Sequence, residues 1–306
     1  MSFEDPRCDD TRDGPTRGRA GGLDRDPRER DAVDPRDVFA QGLDLPRGLD
    51  REPVSVGNEQ YDLRGSEVRT LATVGSFRVV PIDDLRDHGE RAADLWHGDL
   101  DHLRSEGLIR HMAAVDRETG TDLVTLTERG RELLEPHRSS DHDPRQAFHD
   151  GLARERELIH DAQLYRAYLR ASERLVEQGA HIERVILEQD LRRAYQVFLQ
   201  EPNRGRADSD GRPGRDRDEV HRWAEDHNLP HADGRVQFPD LQIEFLWPDG
   251  RRDTENVEVL TPHYRGAHAA GKVRAGFTRF RGIGARAGGK TGRGSRFDPG
   301  LAEELV

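Results

Sequence analysis

Residues 90–111 read ERAADLWHGDLDHLRSEGLIRH and carry a clear helical pattern. Its apolar residues recur at steps of three and four, at Ala93, Trp96, Leu100 and Leu103. This spacing places them on one face of a helix. Gly107 follows, and glycine favours the backbone conformation that ends a helix. The pattern therefore predicts a helix with one buried face that ends just before Gly107.

Further elements are predicted on both sides of this helix. Upstream, helical spacing predicts a first helix, at Val68, Leu71, Ala72 and Val74. After Pro81, Ile82 and Leu85 predict a short second helix. Downstream, LIRHMAAV (108–115), the polar turn DRETG and TDLVTLT (121–127) predict two strands joined as a hairpin. Thr127 is expected to cap a following helix, ERGRELLE.

The order LDHLRSEGLIRH, then VTLTERGRELL, resembles the MarR/PadR-type winged helix-turn-helix. In that family a recognition helix, a hairpin wing and an LT-x-x-G sequence follow one another. The resemblance implies DNA binding, with the helix in the major groove and the hairpin at the adjacent backbone or minor groove. The candidate DNA contacts are Arg91, His97 and Arg104 on the helix and Arg110, Arg117 and Thr119 at the hairpin.

Acidic residues on the same helix favour a different function. Asp94, Asp99 and Asp101 place negative charge where phosphate would lie, and phosphate would be repelled there. Winged helices also dock other proteins. A protein-docking adaptor is therefore an alternative to DNA binding.

Composition limits how much of the chain can form a core. Of its residues 33% are hydrophobic and 35% are charged, so one core over the whole length would be poorly supplied. The composition predicts a disordered tail over residues 1–59, a flexible linker over residues 202–218 and a flexible basic tail over residues 284–306. Cys8 is the only cysteine, which excludes an internal disulfide and a cysteine-based zinc site. The absence of a long apolar stretch predicts a cytoplasmic protein without membrane contact.

A helical connector is predicted over residues 139–201, after a winged-helix domain over residues 60–138. Within residues 152–178 apolar residues keep helical steps, at Leu158, Ala162, Tyr165, Leu169 and Val176. This helix is expected to connect domains or to form a homodimer. We interpret its His160, Glu155 and Glu157 as solvated-face residues. The sequences ERVIL and LEQDLRRAYQVFLQ then predict a short strand and an amphipathic helix.

Residues 219–283 predict a small α/β domain. Apolar residues alternate along two strands, at Leu241, Ile243 and Phe245 and at Val257 and Val259. A Pro-Asp-Gly turn lies between these strands, and a helix is expected after them. Asp240 precedes the first strand and Glu258 lies in the second, so two carboxylates can come together. Such a pair suits a hard divalent cation.

The order Pro239-Asp240, Glu258 and a basic residue resembles the PD-(D/E)XK nuclease core of replication-relaxation or mobilisation-type proteins of plasmids and integrated elements. The resemblance implies that Asp240 and Glu258 hold a metal ion, which would be Mg2+ if the site is active. An Mg2+-dependent endonuclease is therefore the main alternative function. The other interpretations are an ordinary hairpin with surface carboxylates and a nuclease-like fold that binds DNA without cutting it.

The resemblance also implies a further metal ligand and a water-orienting lysine, and both fall on positions that depart from the usual spacing of the family. Glu188 or Asp190 would add a metal-side carboxylate. Leu260 stands where active members carry a lysine, so Lys272 on the expected next helix would orient the attacking water.

Positive charge is concentrated near the C-terminal end of a chain whose net charge is -12. No Asp or Glu occurs between Thr261 and Phe297. Nine cations lie in that segment, among them the further candidate DNA contacts Arg274, Arg279 and Arg281. Phe277 and Phe280 interleave with them, a pattern typical of nucleic-acid binding.

The sequence thus predicts an α+β protein with a winged helix-turn-helix, a helical connector, a small α/β nuclease-like domain and disordered termini. The expected partner is double-stranded DNA. The expected role is in plasmid or mobile-element replication, transfer or regulation.

Overall fold

The computed structural model describes residues 36–85, 92–113, 122–139, 145–151, 155–205, 212–232, 234–260 and 275–281, with the backbone alone at residues 92–97 and 155–156. None of the helices in these ranges has the length and apolar character needed to cross a membrane.

The first described residues form ordered structure, not the expected tail. They comprise a short helix and an antiparallel hairpin: α1 (Asp37–Ala40), β1 (Glu52–Val56) and β2 (Glu59–Leu63). Phe39, Leu43 and Val54 are buried. The prediction of a tail was wrong for residues 36–59, because a few well-spaced apolar side chains are enough to hold this segment against a core formed elsewhere in the chain.

Helices and a three-stranded sheet follow: α2 (Gly65–Phe77), β3 (Val79–Pro81), a 3-10 helix (Ile82–Leu85), α3 (Ala92–Ser105), β4 (Ile109–Met112), β5 (Leu123–Leu126), α4 (Glu128–Leu134) and a 3-10 turn (Glu135–His137). The central strand β5 pairs antiparallel with both β3 and β4. The hydroxyl oxygen of Thr127 accepts the Gly130 N–H at 3.1 Å and caps α4. The predicted helices, strands and cap are confirmed.

The second half contains a long helix, a four-stranded sheet and an insertion: α5 (Glu155–Glu177), β6 (His181–Leu187), α6 (Glu188–Gln200), a 3-10 turn (Glu201–Asn203), α7 (Arg217–Asp226), β7 (His231–Ala232), β8 (Arg235–Val236), β9 (Leu241–Leu246), β10 (Arg252–Leu260) and β11 (Thr278–Arg281). The sheet order is β11-β10-β9-β6. The pairs β6/β9 and β9/β10 are antiparallel, and β10/β11 is parallel.

The predicted long helix, the strand and helix that follow it, and the two strands around the Pro-Asp-Gly turn are confirmed, and the limits of the expected linker differ. The expected linker, residues 202–218, includes part of a 3-10 turn at its start and the first turn of α7 at its end. The helix expected after β10 falls on residues outside the described ranges. The fold is therefore mixed α+β.

Helix α5 lies at the centre of the main core. Tyr165 and Tyr168 of α5 contact Phe77 of α2, and Tyr168 also contacts Phe39 of α1. The same cluster of buried side chains continues to the apolar residues of the sheet, including Ile243. The apolar stripe that predicted a dimerising helix is thus packed within its own chain. A smaller core around Trp223 and Phe238 holds the insertion formed by α6, α7 and the β7–β8 hairpin.

Candidate nucleic-acid interface and carboxylate site

Helix α3 has a buried side and an exposed side. Leu103 is fully buried, and Leu100 packs partly buried against the main core. The exposed residues of its described C-terminal half are Gly98, Asp101, Arg104 and Ser105. One side of the helix is therefore available to a partner.

The acidic residues of α3 differ in their exposure and in how far their charge is compensated. Asp99 is 3% exposed, and its Oδ1 accepts a hydrogen bond from Arg64 Nε at 2.8 Å. Asp101 is exposed, and its Oδ1 accepts from Arg104 at 3.0 Å, three residues away. The charge of Asp99 is thus turned inward and compensated, and that of Asp101 is partly balanced on the exposed side. The side chain of Asp94 lies outside the described part of the chain.

Strands β4 and β5 follow α3 and carry further polar groups. Arg110 and His111 on β4 are exposed, while Ile109 before them is buried. His111 Nε2 lies 2.8 Å from Asp122 Oδ2, in the residue just before β5. The turn between the two strands, which carries the candidates Arg117 and Thr119, lies outside the described residues, as do Arg91, Arg274 and the side chain of His97.

The basic segment near the C-terminus is described only around β11. Arg279 and Arg281 are exposed on this edge strand. Phe277 and Phe280 are buried in the core, and Arg170 stacks over the Phe280 ring at 5.4 Å. The two rings therefore pack inside the protein and do not interleave with the arginines on its surface, contrary to the sequence interpretation: Phe280 is the one buried residue of β11, and Phe277 lies just before that strand.

Asp240 directly precedes β9 and Glu258 lies in the neighbouring strand β10, as the sequence predicted. The last registered pair of β9 and β10 is Leu241 with Val257, and each carboxylate stands one residue beyond it. Both side chains are buried. Asp240 Oδ2 accepts the Val259 N–H at 2.8 Å, which fixes the Asp240 side chain across the strand pair.

His160 of α5 joins this site, which the sequence analysis did not foresee. Its Nε2 lies 3.3 Å from Asp240 Oδ2, and its Nδ1 lies 3.4 Å from Asp161 Oδ1. Burial lowers the pKa of His160, but the contacts with Asp161 and Asp240 outweigh burial and raise the pKa to about 10. The imidazolium therefore partly neutralises the carboxylates, and the prediction that His160 is a solvated-face residue was wrong.

Asp190, the third predicted metal ligand, is engaged elsewhere. Its Oδ2 lies 2.9 Å from His149 Nε2, a contact with the distance but not the geometry of a hydrogen bond. His149 Nδ1 in turn lies 3.0 Å from Gln189 Nε2. The other candidate, Glu188, pairs with Arg192 on the same helix.

Asp240 and Glu258 have no third side-chain ligand for a metal ion beside them among the described residues. Within the part of the chain that the structure describes, no group of three or more His, Cys, Asp or Glu residues is arranged to hold one. Lys272, the predicted water-orienting residue, lies outside that part. The described residues therefore support no step through Mg2+.

Comparison with protein-family models, curated proteins and solved structures finds no match to this chain.

Proposed function

We propose that this protein binds double-stranded DNA through a winged helix-turn-helix made of α2, the 3-10 helix, α3 and the β4–β5 strand pair, in plasmid or mobile-element replication, transfer or regulation. The observation that carries the proposal is the division of α3 into a buried and an exposed side, directly followed by an antiparallel strand pair. A helix of roughly 10–12 Å diameter fits the major groove, and a strand pair beside it reaches the adjacent backbone.

Local charge supports this use of the exposed side. The net charge of -12 opposes a polyanion on average, but net charge governs non-specific association more than a local contact. Arg104 and Arg110 are exposed, whereas Asp99 is turned toward Arg64. The side that would meet DNA is thus less acidic than the helix sequence suggests.

The test is the affinity for duplex DNA across a salt series, measured by fluorescence anisotropy on a duplex of roughly 20 bp, about two helical turns. The wild-type protein should bind more weakly as salt rises, since phosphate contacts release counterions. In the double variant Arg104→Ala/Arg110→Ala the slope of log affinity against log salt should shrink by about 0.9 for each phosphate group that an arginine no longer neutralises.

The matched control is Arg222→Ala/Arg235→Ala, which removes two exposed arginines from the insertion for the same change of charge. It should keep the wild-type slope. If both double variants reduced the slope equally, the effect would come from net charge and not from a local contact of Arg104 and Arg110. A wild-type protein without any salt-dependent binding would contradict DNA contact and favour the protein-docking adaptor.

The placement of Asp240, just before β9, opposite Glu258 of the adjacent strand β10 favours an endonuclease as a second candidate function. The expected result under that hypothesis is nicking of supercoiled plasmid with Mg2+ or Mn2+, abolished by Asp240→Ala. Binding without nicking is the outcome our proposal expects, because the described donor set falls short of a metal site.

A further inference from the structure

Helix α3 is held to the start of α2 by a buried ion pair as well as by apolar packing. Arg64, the residue before α2, donates from both Nε and an Nη group to Asp99 Oδ1. The Asp99 side chain is 4% exposed and that of Arg64 is 19% exposed. This contact joins two residues 35 positions apart and fixes α3 from its inner side.

A second polar contact lies one turn further along α3. His102 Nδ1 lies 3.0 Å from Glu67 Oε1, at the distance but not in the geometry of a hydrogen bond, and Glu67 is fully buried in the first turn of α2. Glu67 also accepts the Arg64 N–H at 3.0 Å and, through both oxygens, the guanidinium of Arg51. These contacts hold the carboxylate of Glu67 in place, so His102 lies beside a group of fixed position.

The ion pair between Arg64 and Asp99 defines the rotation of α3 about its own axis, and the position of His102 beside Glu67 agrees with it. Asp99 and His102 are three residues apart and so lie on one side of the helix, whereas Gly98, Asp101 and Arg104 are exposed. Apolar packing is non-directional, but a charged fork on a carboxylate has a fixed geometry. A slip by one residue would turn the exposed side by about 100°, because an α-helix has about 3.6 residues per turn.

We infer that Arg64 and Glu67 are positioning residues that set the rotation of α3 and thereby the discrimination between DNA sequences. The inference rests on the proposed DNA binding. Contacts with phosphate tolerate small rotations of a helix, whereas hydrogen bonds to base edges need their donors at fixed positions. Loosening the ion pair should therefore lower sequence discrimination while leaving non-specific affinity in place.

The experiment selects duplexes from a random library with the full-length wild-type protein and then measures Kd for an enriched duplex and for a scrambled one. The ratio of the two Kd values reports discrimination. In Asp99→Asn this ratio should fall by about tenfold or more, the discrimination that one base-pair contact supplies. The Kd for the scrambled duplex should match that of Glu132→Gln, an exposed residue of α4 that loses the same charge.

A conservative variant covers the case in which Asp99→Asn fails to fold. Arg64→Lys keeps the positive charge but removes the two-donor fork, so it should melt like the wild type and still lower the ratio. If Arg64→Lys, or a folded Asp99→Asn, keeps the wild-type ratio, the inference is overturned while DNA binding stands. A wild-type protein that binds with salt dependence but enriches no sequence overturns it as well. The absence of salt-dependent binding would instead overturn the proposed function itself.

Discussion

At the scale of single residues, the site around Asp240 shows what a sequence pattern can and cannot reveal. Asp240 and Glu258 could be predicted, because alternation along two strands and one intervening turn determine which residues become neighbours. His160 could not, since it lies 80 positions before Asp240 and meets it only when α5 packs on the sheet. Helical spacing identifies the buried side of α5. It does not predict which polar residue at the edge of that side contacts a carboxylate of the sheet.

The raised pKa of His160 predicts a pH-dependent contribution to stability. Its pKa of about 10 lies above the roughly 6.5 of an unfolded chain. The contribution is therefore complete below about pH 6.5, decreases as the pH rises and is lost above about pH 10. In His160→Gln the free energy of unfolding should fall by about 1.5–3 kcal/mol near pH 6, the range of a hydrogen bond to a charged group, and by much less near pH 11.

Urea unfolding of wild type and variant at both pH values measures this difference. His221→Gln is the control, because His221 is exposed on α7 and should change stability by less than about 0.5 kcal/mol at either pH. A decrease in His160→Gln that is the same at both pH values would show that the imidazole contributes by packing and not by charge.

At the scale of elements, local patterns predicted most helices and strands. The steps of three and four in α2, α3, α5 and α6 and the alternation in β9 and β10 are properties of neighbouring residues. Residues 36–59 and the ring of Phe280 were misinterpreted because their burial depends on contacts with distant parts of the chain. The motif LT-x-x-G lies between these two cases. Its glycine can be recognised in the sequence, but the need for a glycine there comes from tertiary contacts.

The structure gives that reason for Gly130. A Cβ atom at this position of α4 would collide with the backbone carbonyl of Leu108 and lie 2.6 Å from Leu126 Cδ1. Gly130→Ala should therefore separate α4 from the β4–β5 pair and lower the free energy of unfolding by about 1–3 kcal/mol.

Gly98 of α3 differs from Gly130 in that no close contact requires a glycine at its position. A Cβ there meets nothing within 4 Å, so Gly98→Ala should raise the free energy of unfolding by about 0.5–1 kcal/mol through helix propensity alone. Chemical denaturation of both variants tests the pair. Equal effects of the two substitutions would mean that close packing does not explain the glycine of the motif.

At the scale of the whole molecule, the region around α2 and the four-stranded sheet share one core. The described residues all belong to a single structural unit, and buried side chains run without a break from α1 through α5 to the sheet. This arrangement makes α5 an internal element. The orientation of α3 is thus tied to the rest of the chain through α2, which packs against both α3 and α5.

Tyr168 of α5 is the residue that tests this continuity. It is fully buried, and its ring lies 5.1 Å from that of Phe39 and 5.3 Å from that of Phe77. Tyr168→Ala should lower the free energy of unfolding by about 3–5 kcal/mol, the cost of truncating a large aromatic side chain in a core. Far-ultraviolet circular dichroism and tryptophan fluorescence, to which Trp96 of α3, Trp223 of the insertion and Trp247 beside the main core all contribute, should shift together.

Val197→Ala is the control for Tyr168→Ala, since Val197 is 51% exposed on α6 and its truncation should cost less than about 0.5 kcal/mol. Two separate transitions, only one of them moved by Tyr168→Ala, would mean that the α2–α3 region and the sheet fold independently in spite of the shared core. In that case the orientation of α3 would depend on its contacts with α2 alone, and Arg64 and Glu67 would have to fix it without support from the sheet.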